Sequence, residues 1–297
     1  MRSACSCLLL LFFFALGPVF AGIDPSWTTP ITPFRIADNL YYVGSQELAS
    51  YLVVTPKGNI LINANLAVSP PQIRASVEKL GFHWTDIKIL LNSQAHDDHV
   101  GGAAQIIRET HAKNMVMDGD ASVVESGGRA NFLFPSPNAQ TYAPSHVDRV
   151  LHDGNTVSLG GVTLTAHKTA GHTRGCTTWT MRSHLPGEPI GTMRNIVIVG
   201  GTGFWSEYHF VATPGHPVSY PGIVQDFQHT FAELRGLPCD IFLGAHGVYF
   251  DLLRKLRRYS MNGPRVFIDP DGYKQFVARS QVNFTIELNK QRVAAAH

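Results

Sequence analysis

Within six residues the chain sets out Gln94, His96, Asp98 and His99, directly after the apolar run Ile87–Leu91. All four side chains carry lone pairs that can bind a metal, and the run before them reads as a buried strand. Gln94 and His96 stand two apart, so in an extended segment they project to one side. Asp98 and His99 fall where the chain must turn before the apolar-periodic residues 103–107. Two of these side chains can serve one ion and the other two a second. Imidazole and carboxylate at this density suit zinc or another borderline divalent metal. Taken alone, the cluster would equally fit a solvated acidic loop. Two distant segments weigh against that. Thr169-Ala170-Gly171-His172-Thr173-Arg174-Gly175 holds a histidine in a tight glycine turn, and Leu243-Gly244-Ala245-His246-Gly247 holds another, straight after the strand-like residues 240–243. Packing does not explain three histidine-bearing strand ends set among small residues, whereas a bound metal does.

Strands and helices must bring these segments together. Residues 41–43, 50–54 and 59–62 read as strands, the last two joined by a turn at Pro56-Lys57-Gly58. A helix follows, with Ser69 as N-cap, Pro70 at N1, an apolar face of Ile73, Val77 and Leu80, and Gly81 closing it. After the ligand stretch the pattern predicts a helix over 102–110, a strand over 114–117 and a helix over 121–125. In the second half, residues 156–159, 162–167, 177–181 and 195–199 read as strands. Ile223, Phe227, Phe231 and Leu234 then mark a helix face ending at Gly236. Further helices are expected over 250–259 and 272–288. Strands followed by helices in each half imply two packed sheets with helices on their outer faces.

Residues 1–21 read as a secretory signal: Arg2, an apolar stretch from Leu8 to Leu16, then a small-residue cleavage site ending at Ala21. That stretch is too short to span a bilayer, so cleavage would leave a periplasmic or secreted protein with no membrane segment. Residues 22–297 then form one domain built of two similar halves. The formal charge of +2 creates no field that would recruit nucleic acid. Cys5 and Cys7 leave with the signal, and the remaining Cys176 and Cys239 are expected to be free and buried. His83, His111, His146, His152, His167, His184, His209, His216 and His229 lack the strand-end setting and are read as surface or satisfied core.

The His-x-Asp-His run, the later Gly-His-Thr and the final strand-end histidine resemble the metallo-β-lactamase-fold hydrolases, and more closely the subclass B3 metallo-β-lactamases. The similarity runs from about Pro33 to Tyr273. It includes Gly58-Asn59-Ile60-Leu61-Ile62-Asn63, Glu125-Ser126-Gly127-Gly128, Leu151-His152-Asp153-Gly154 and Ile268-Asp269-Pro270. The resemblance implies an α/β fold, a four-layer αβ/βα sandwich with its metal site at the strand ends. It also implies two zinc sites, one of Gln94, His96 and His172 and one of Asp98, His99 and His246. Where the family has the first histidine of His-x-His-x-Asp-His, this chain has Gln94. A neutral amide oxygen is a poorer zinc donor than imidazole. Either two zinc ions bind unequally, or the second site works alone, or Gln94 is a spectator that hydrogen-bonds its neighbours.

The implied chemistry is metal-assisted hydrolysis of a β-lactam, with Asp98 orienting the water and taking part in proton transfer. No Ser-x-x-Lys motif with its companions supports a covalent serine route. The strand over 195–199 ends in Gly200-Gly201-Thr202-Gly203, with neither the bridging Asp of glyoxalase-type relatives nor the Cys of the other lactamase groups. Serines that bind the substrate carboxylate in B3 relatives are also missing here, leaving Thr202 and Ser206 as candidates. Trp205 and the loop Phe132-Leu133-Phe134-Pro135 could wall the pocket, against the ordinary tendency of such rings to be buried. A monomer acting on a small molecule is expected. The rival readings are another exported hydrolase of the same fold, acting on lactones or thioesters, and a non-catalytic metal-binding protein.

Overall fold

The structure, a computed structural model, describes residues 24–133, 141–189 and 191–296. The expected leader, and Phe134-Pro135 of the expected apolar loop, lie outside them. The first sheet has seven strands in sequence order: β1 (Phe34–Ala37), β2 (Leu40–Tyr42), β3 (Tyr51–Thr55), β4 (Gly58–Ile62), β5 (Ile87–Leu91), β6 (Lys113–Met117) and β7 (Arg149–Leu151). It is antiparallel from β1 to β4 and parallel from β4 to β7. The parallel part needs crossovers, supplied by α1 (Pro70–Lys79), by α2 (Asp97–Val100) with α3 (Ala103–Thr110), and by the segment carrying α4 (Ala121–Glu125). The second sheet contains β8 (Thr156–Leu159), β9 (Val162–Lys168), β10 (Thr177–Ser183), β11 (Arg194–Val199) and β12 (Ile241–Gly244), in the order β12-β11-β10-β9-β8. Helices α5 (Ile223–Gly236), α6 (Leu252–Asn262) and α7 (Pro270–Ala295) complete the chain.

The two-residue period of a strand explains the layers. On β4 and β5, Ile60, Ile62, Ile89 and Leu91 join the cluster between the sheets, while Leu61 and Leu90 turn the other way onto Ile73 and Val77 of α1 and Ala103 and Ile106 of α3. Both faces are buried, so these strands read as unbroken apolar runs. Behind the second sheet, Phe227, Phe231 and Leu234 of α5 meet Phe276, Val277 and Phe284 of α7. Each such side chain, fully buried, contributes about 1.5–3 kcal/mol. This is the expected αβ/βα sandwich. Its sheets are unequal, because the two four- and three-residue strands β1 and β7 extend the first one.

Polar contacts lock the sheets together at one end. The Trp179 indole donates to Asn92 O at 3.1 Å, Thr177 N donates to Ser93 O at 2.7 Å, and the Tyr51 hydroxyl donates to Gly244 O at 2.7 Å. These bonds join the end of β5 to β10, and β3 to the end of β12. Both cysteines are free as expected, but Cys239 is only half-buried, because it precedes β12 rather than lying inside it. Among the described residues, no helix is long and apolar enough to cross a membrane.

Candidate metal centre

Three strand ends deliver the side chains. After β5 the chain stays extended at His96 (φ −81°, ψ 155°) and then enters α2, which carries Asp98 and His99. Ser93 N is fixed at 2.8 Å by the side-chain oxygen of Asn63, itself in the left-handed region (φ 67°) just past β4. The β9–β10 turn carries His172. It follows Gly171 at φ +129°, where a Cβ would lie 2.7 Å from the Phe227 ring, so only glycine fits. His246 follows β12, and a bridge to Leu48 and the 3.0 Å bond from Ala49 N to Ala245 O hold its backbone.

The six residues form two groups. In one, His96 Nδ1 and His172 Nε2 face each other at 3.2 Å. His172 Nδ1 donates to Gly203 O at 2.7 Å, which leaves its Nε2 bare in the neutral ring. Gln94 belongs to this group: a Cβ on Gly201 would lie 2.9 Å from His172 Cδ2 and 3.5 Å from Gln94 Nε2. In the other group, His99 Nε2 and His246 Nε2 are 3.2 Å apart, and Asp98 Oδ2 is 3.2 Å from the first and 3.3 Å from the second. The ligand atoms of Asp98, His99 and His246 all lie within 4.8 Å of one another.

These donor sets fit metal ions. In the second group a carboxylate oxygen and two ring nitrogens converge on one another, a pattern a shared cation resolves. Both polar atoms of the Gln94 amide are buried and have no hydrogen-bond partner among the described residues. A buried amide left unpaired costs about 1–3 kcal/mol, so the spectator reading of Gln94 lacks its bond. A coordinating role would give the oxygen a partner.

Electrostatics separate the groups. Burial pushes the His96 imidazole down to about 4 and the His172 imidazole to about 3, keeping both neutral and available as ligands. Burial also disfavours the charged His246, but Asp98 and Glu47 outweigh it and raise that imidazole to about 9. Burial would raise Asp98 too, yet His99 and His246 hold its carboxyl well below the usual range.

Two carboxylates not singled out from the sequence support the site. Glu47 Oε1 lies 3.5 Å from His246 Nδ1, an outer partner that orients the ring. Asp120, just before α4, accepts from Ala95 N at 2.9 Å, between Gln94 and His96, and from Thr173 Oγ1 at 2.7 Å, next to His172. Neither residue stands at a ligand-like spacing, so only the fold brings it to the site.

The expected substrate contacts divide. Trp205 is 49% exposed, with its ring 5.4 Å from that of His96 and 5.3 Å from that of His172, a wall beside the first group. Thr202 is buried and donates to Ser280 Oγ at 3.0 Å, while the exposed Ser206 donates to Glu207 at 3.0 Å. Phe132 packs on Tyr208 and Tyr220. Among the histidines read as non-ligands, His167 is satisfied by Glu233 at 2.8 Å and Thr180 at 2.9 Å.

A family model described as "Metallo-beta-lactamase superfamily" matches residues 49–246, from just before β3 to His246. Among solved structures, FEZ-1 metallo-beta-lactamase from Legionella gormanii is 47% identical, with a TM-score of 0.84 over 89% of this chain and 98% of that one. BJP-1, a subclass B3 metallo-beta-lactamase of Bradyrhizobium japonicum, is 32% identical, with a TM-score of 0.81 over 91% and 98%. A curated relative, named as a probable metallo-hydrolase of Burkholderia pseudomallei, is 30% identical over 143 residues. That match covers 47% of this chain and less than half, 45%, of the relative.

Proposed function

The chain belongs to the metallo-beta-lactamase superfamily, and from that premise we propose that it is a zinc-dependent hydrolase of β-lactams of the subclass B3 kind. The observation that carries this reading is the complete Asp98-His99-His246 group, in a chain similar to FEZ-1 over 98% of that enzyme's length. Gln94, His96 and His172 would hold a second zinc more weakly. Residues 1–21, read as an export signal, fit an enzyme that meets its substrate outside the inner membrane.

Bound zinc supplies Lewis acidity and brings the pKa of water towards neutrality. The chain's own residues do the rest. Asp98 is a carboxylate at neutral pH, so it can orient water and accept its proton before passing it to the departing lactam nitrogen. Gly203 O and Glu47 fix the His172 and His246 rings, so the donors need no reorganisation during turnover. Trp205 offers an apolar face to the substrate, and the thiol of Cys176, buried and pushed far above its ordinary value, is no nucleophile. The test is hydrolysis of nitrocefin and of a carbapenem by zinc-loaded protein, with lactones and thioesters as the competing substrates. Turnover confined to lactones or thioesters would replace the lactam reading, and metal binding with no turnover would favour a non-catalytic protein.

A further inference from the structure

The candidate ligands of the first group come from two loops distant in sequence, the end of β5 and the β9–β10 turn, which meet where His96 Nδ1 and His172 Nε2 face each other at 3.2 Å. One buried carboxylate joins them. Asp120 Oδ2 accepts from Ala95 N at 2.9 Å and from Thr173 Oγ1 at 2.7 Å, and Asp120 Oδ1 accepts from Gly175 N at 2.8 Å. The first donor sits between Gln94 and His96, and the other two belong to Thr173, directly after His172, and to Gly175. The approach is close enough to require glycine: a Cβ on Gly175 would lie 2.6 Å from Asp120 N. Ala95 is held from its other side as well, because the buried Tyr142 hydroxyl donates to Ala95 O at 2.8 Å. Both polar atoms of the Ala95 backbone are thus fixed by side chains. The second group is anchored elsewhere, through Glu47 and the Leu48–His246 bridge.

We propose that Asp120 is the positioning residue of the Gln94-His96-His172 group, the carboxylate that sets the distance between the two loops and so the metal affinity of that group alone. Charge-assisted bonds of this kind fix geometry more firmly than neutral ones, and outer partners of metal ligands commonly govern affinity by about 10–100-fold. The inference rests on the reading that both groups bind metal, but not on which bond is hydrolysed.

The experiment loads wild type, Asp120→Asn and Thr173→Val with zinc and, separately, cobalt(II), and measures the affinity of each bound ion by chelator competition, alongside thermal unfolding of the metal-free forms. Asp120→Asn should keep one ion at wild-type affinity and weaken the other at least about tenfold; Thr173→Val, which removes one of three bonds, should shift the same ion less. A merely structural role would weaken both ions together and lower the unfolding temperature without selectivity. That result, unchanged affinity for both ions, or a wild type that binds one ion only, would overturn the inference. If Asp120→Asn does not fold, Thr173→Val and Tyr142→Phe decide it by the same selectivity. Failure to hydrolyse β-lactams would count against the proposed substrate and leave these affinities to be read independently.

Discussion

The two ligand groups are built at the same end of one sandwich from adjacent stretches of chain, yet they are electrostatic opposites. Gln94, His96 and His172 offer three neutral donors, and burial holds both imidazoles far below their ordinary value, at about 4 and about 3. Asp98, His99 and His246 include a carboxylate, with Glu47 behind His246, and the free His246 imidazole is raised to about 9. A divalent cation is drawn to the group that carries negative charge, while the neutral group offers only the lone pairs of its imidazoles and amide. The difference teaches that the charge of the second group is set by Asp98, Glu47 and the two imidazoles, without the Gln94 amide of the first.

Removing the charge that distinguishes the groups should have the largest effect. Asp98→Asn is expected to cut turnover by about 10²–10⁴-fold, the usual value of a positioned acid–base group, measured as kcat/KM with zinc in excess. Glu47→Gln should weaken the second-group ion by about 10–100-fold and leave the first-group ion unchanged, read by chelator competition. If both ions weakened equally, the separation between the groups would be broken.

The groups should also answer pH in opposite directions. The folded value of His246 lies above its unfolded 6.5, so its stabilisation by Asp98 and Glu47 is full below pH 6.5 and lost as pH rises through about 9. For His96 and His172 the folded values lie below 6.5, so stability is lost as pH falls from 6.5 through about 4 and about 3. Thermal unfolding of metal-free protein across pH 3–10 should therefore decline on both sides of near-neutral pH. At pH 7.5, calorimetry in buffers of different ionisation enthalpy should show proton release when the second group fills, and none from His96 or His172 when the first does. Gln94→His sharpens the contrast from the other side: by giving the first group a third imidazole it should bring the two zinc affinities closer together. Smallest is Trp205→Ala. Loss of an aromatic wall worth about 0.5–1.5 kcal/mol should raise KM roughly two- to tenfold with kcat little changed.

The candidate ligands could be picked out because they crowd one strand end and because glycine turns frame the other histidines. Gln94, His96, Asp98 and His99 could be paired off from spacing and resemblance before any contact was known. The sandwich was legible for a related reason: β4 and β5 are buried on both faces and read as apolar runs. The short β1 and β7 were missed, since Phe34-Arg35-Ile36-Ala37 and Arg149-Val150-Leu151 are too brief to show a period. Glu47 and Asp120 were illegible for a different reason. A single carboxylate far from the ligands in sequence acquires meaning only when the chain folds it against a ring nitrogen or a loop amide. The exposure of Trp205 beside the His96 and His172 rings is likewise a product of tertiary placement.

The most direct measurement is a zinc titration of metal-free wild type with nitrocefin and carbapenem hydrolysis followed at each equivalent. Turnover is expected to rise from none as zinc is added, with the first equivalent occupying Asp98, His99 and His246. Absence of β-lactam hydrolysis at every zinc loading would contradict the proposed activity.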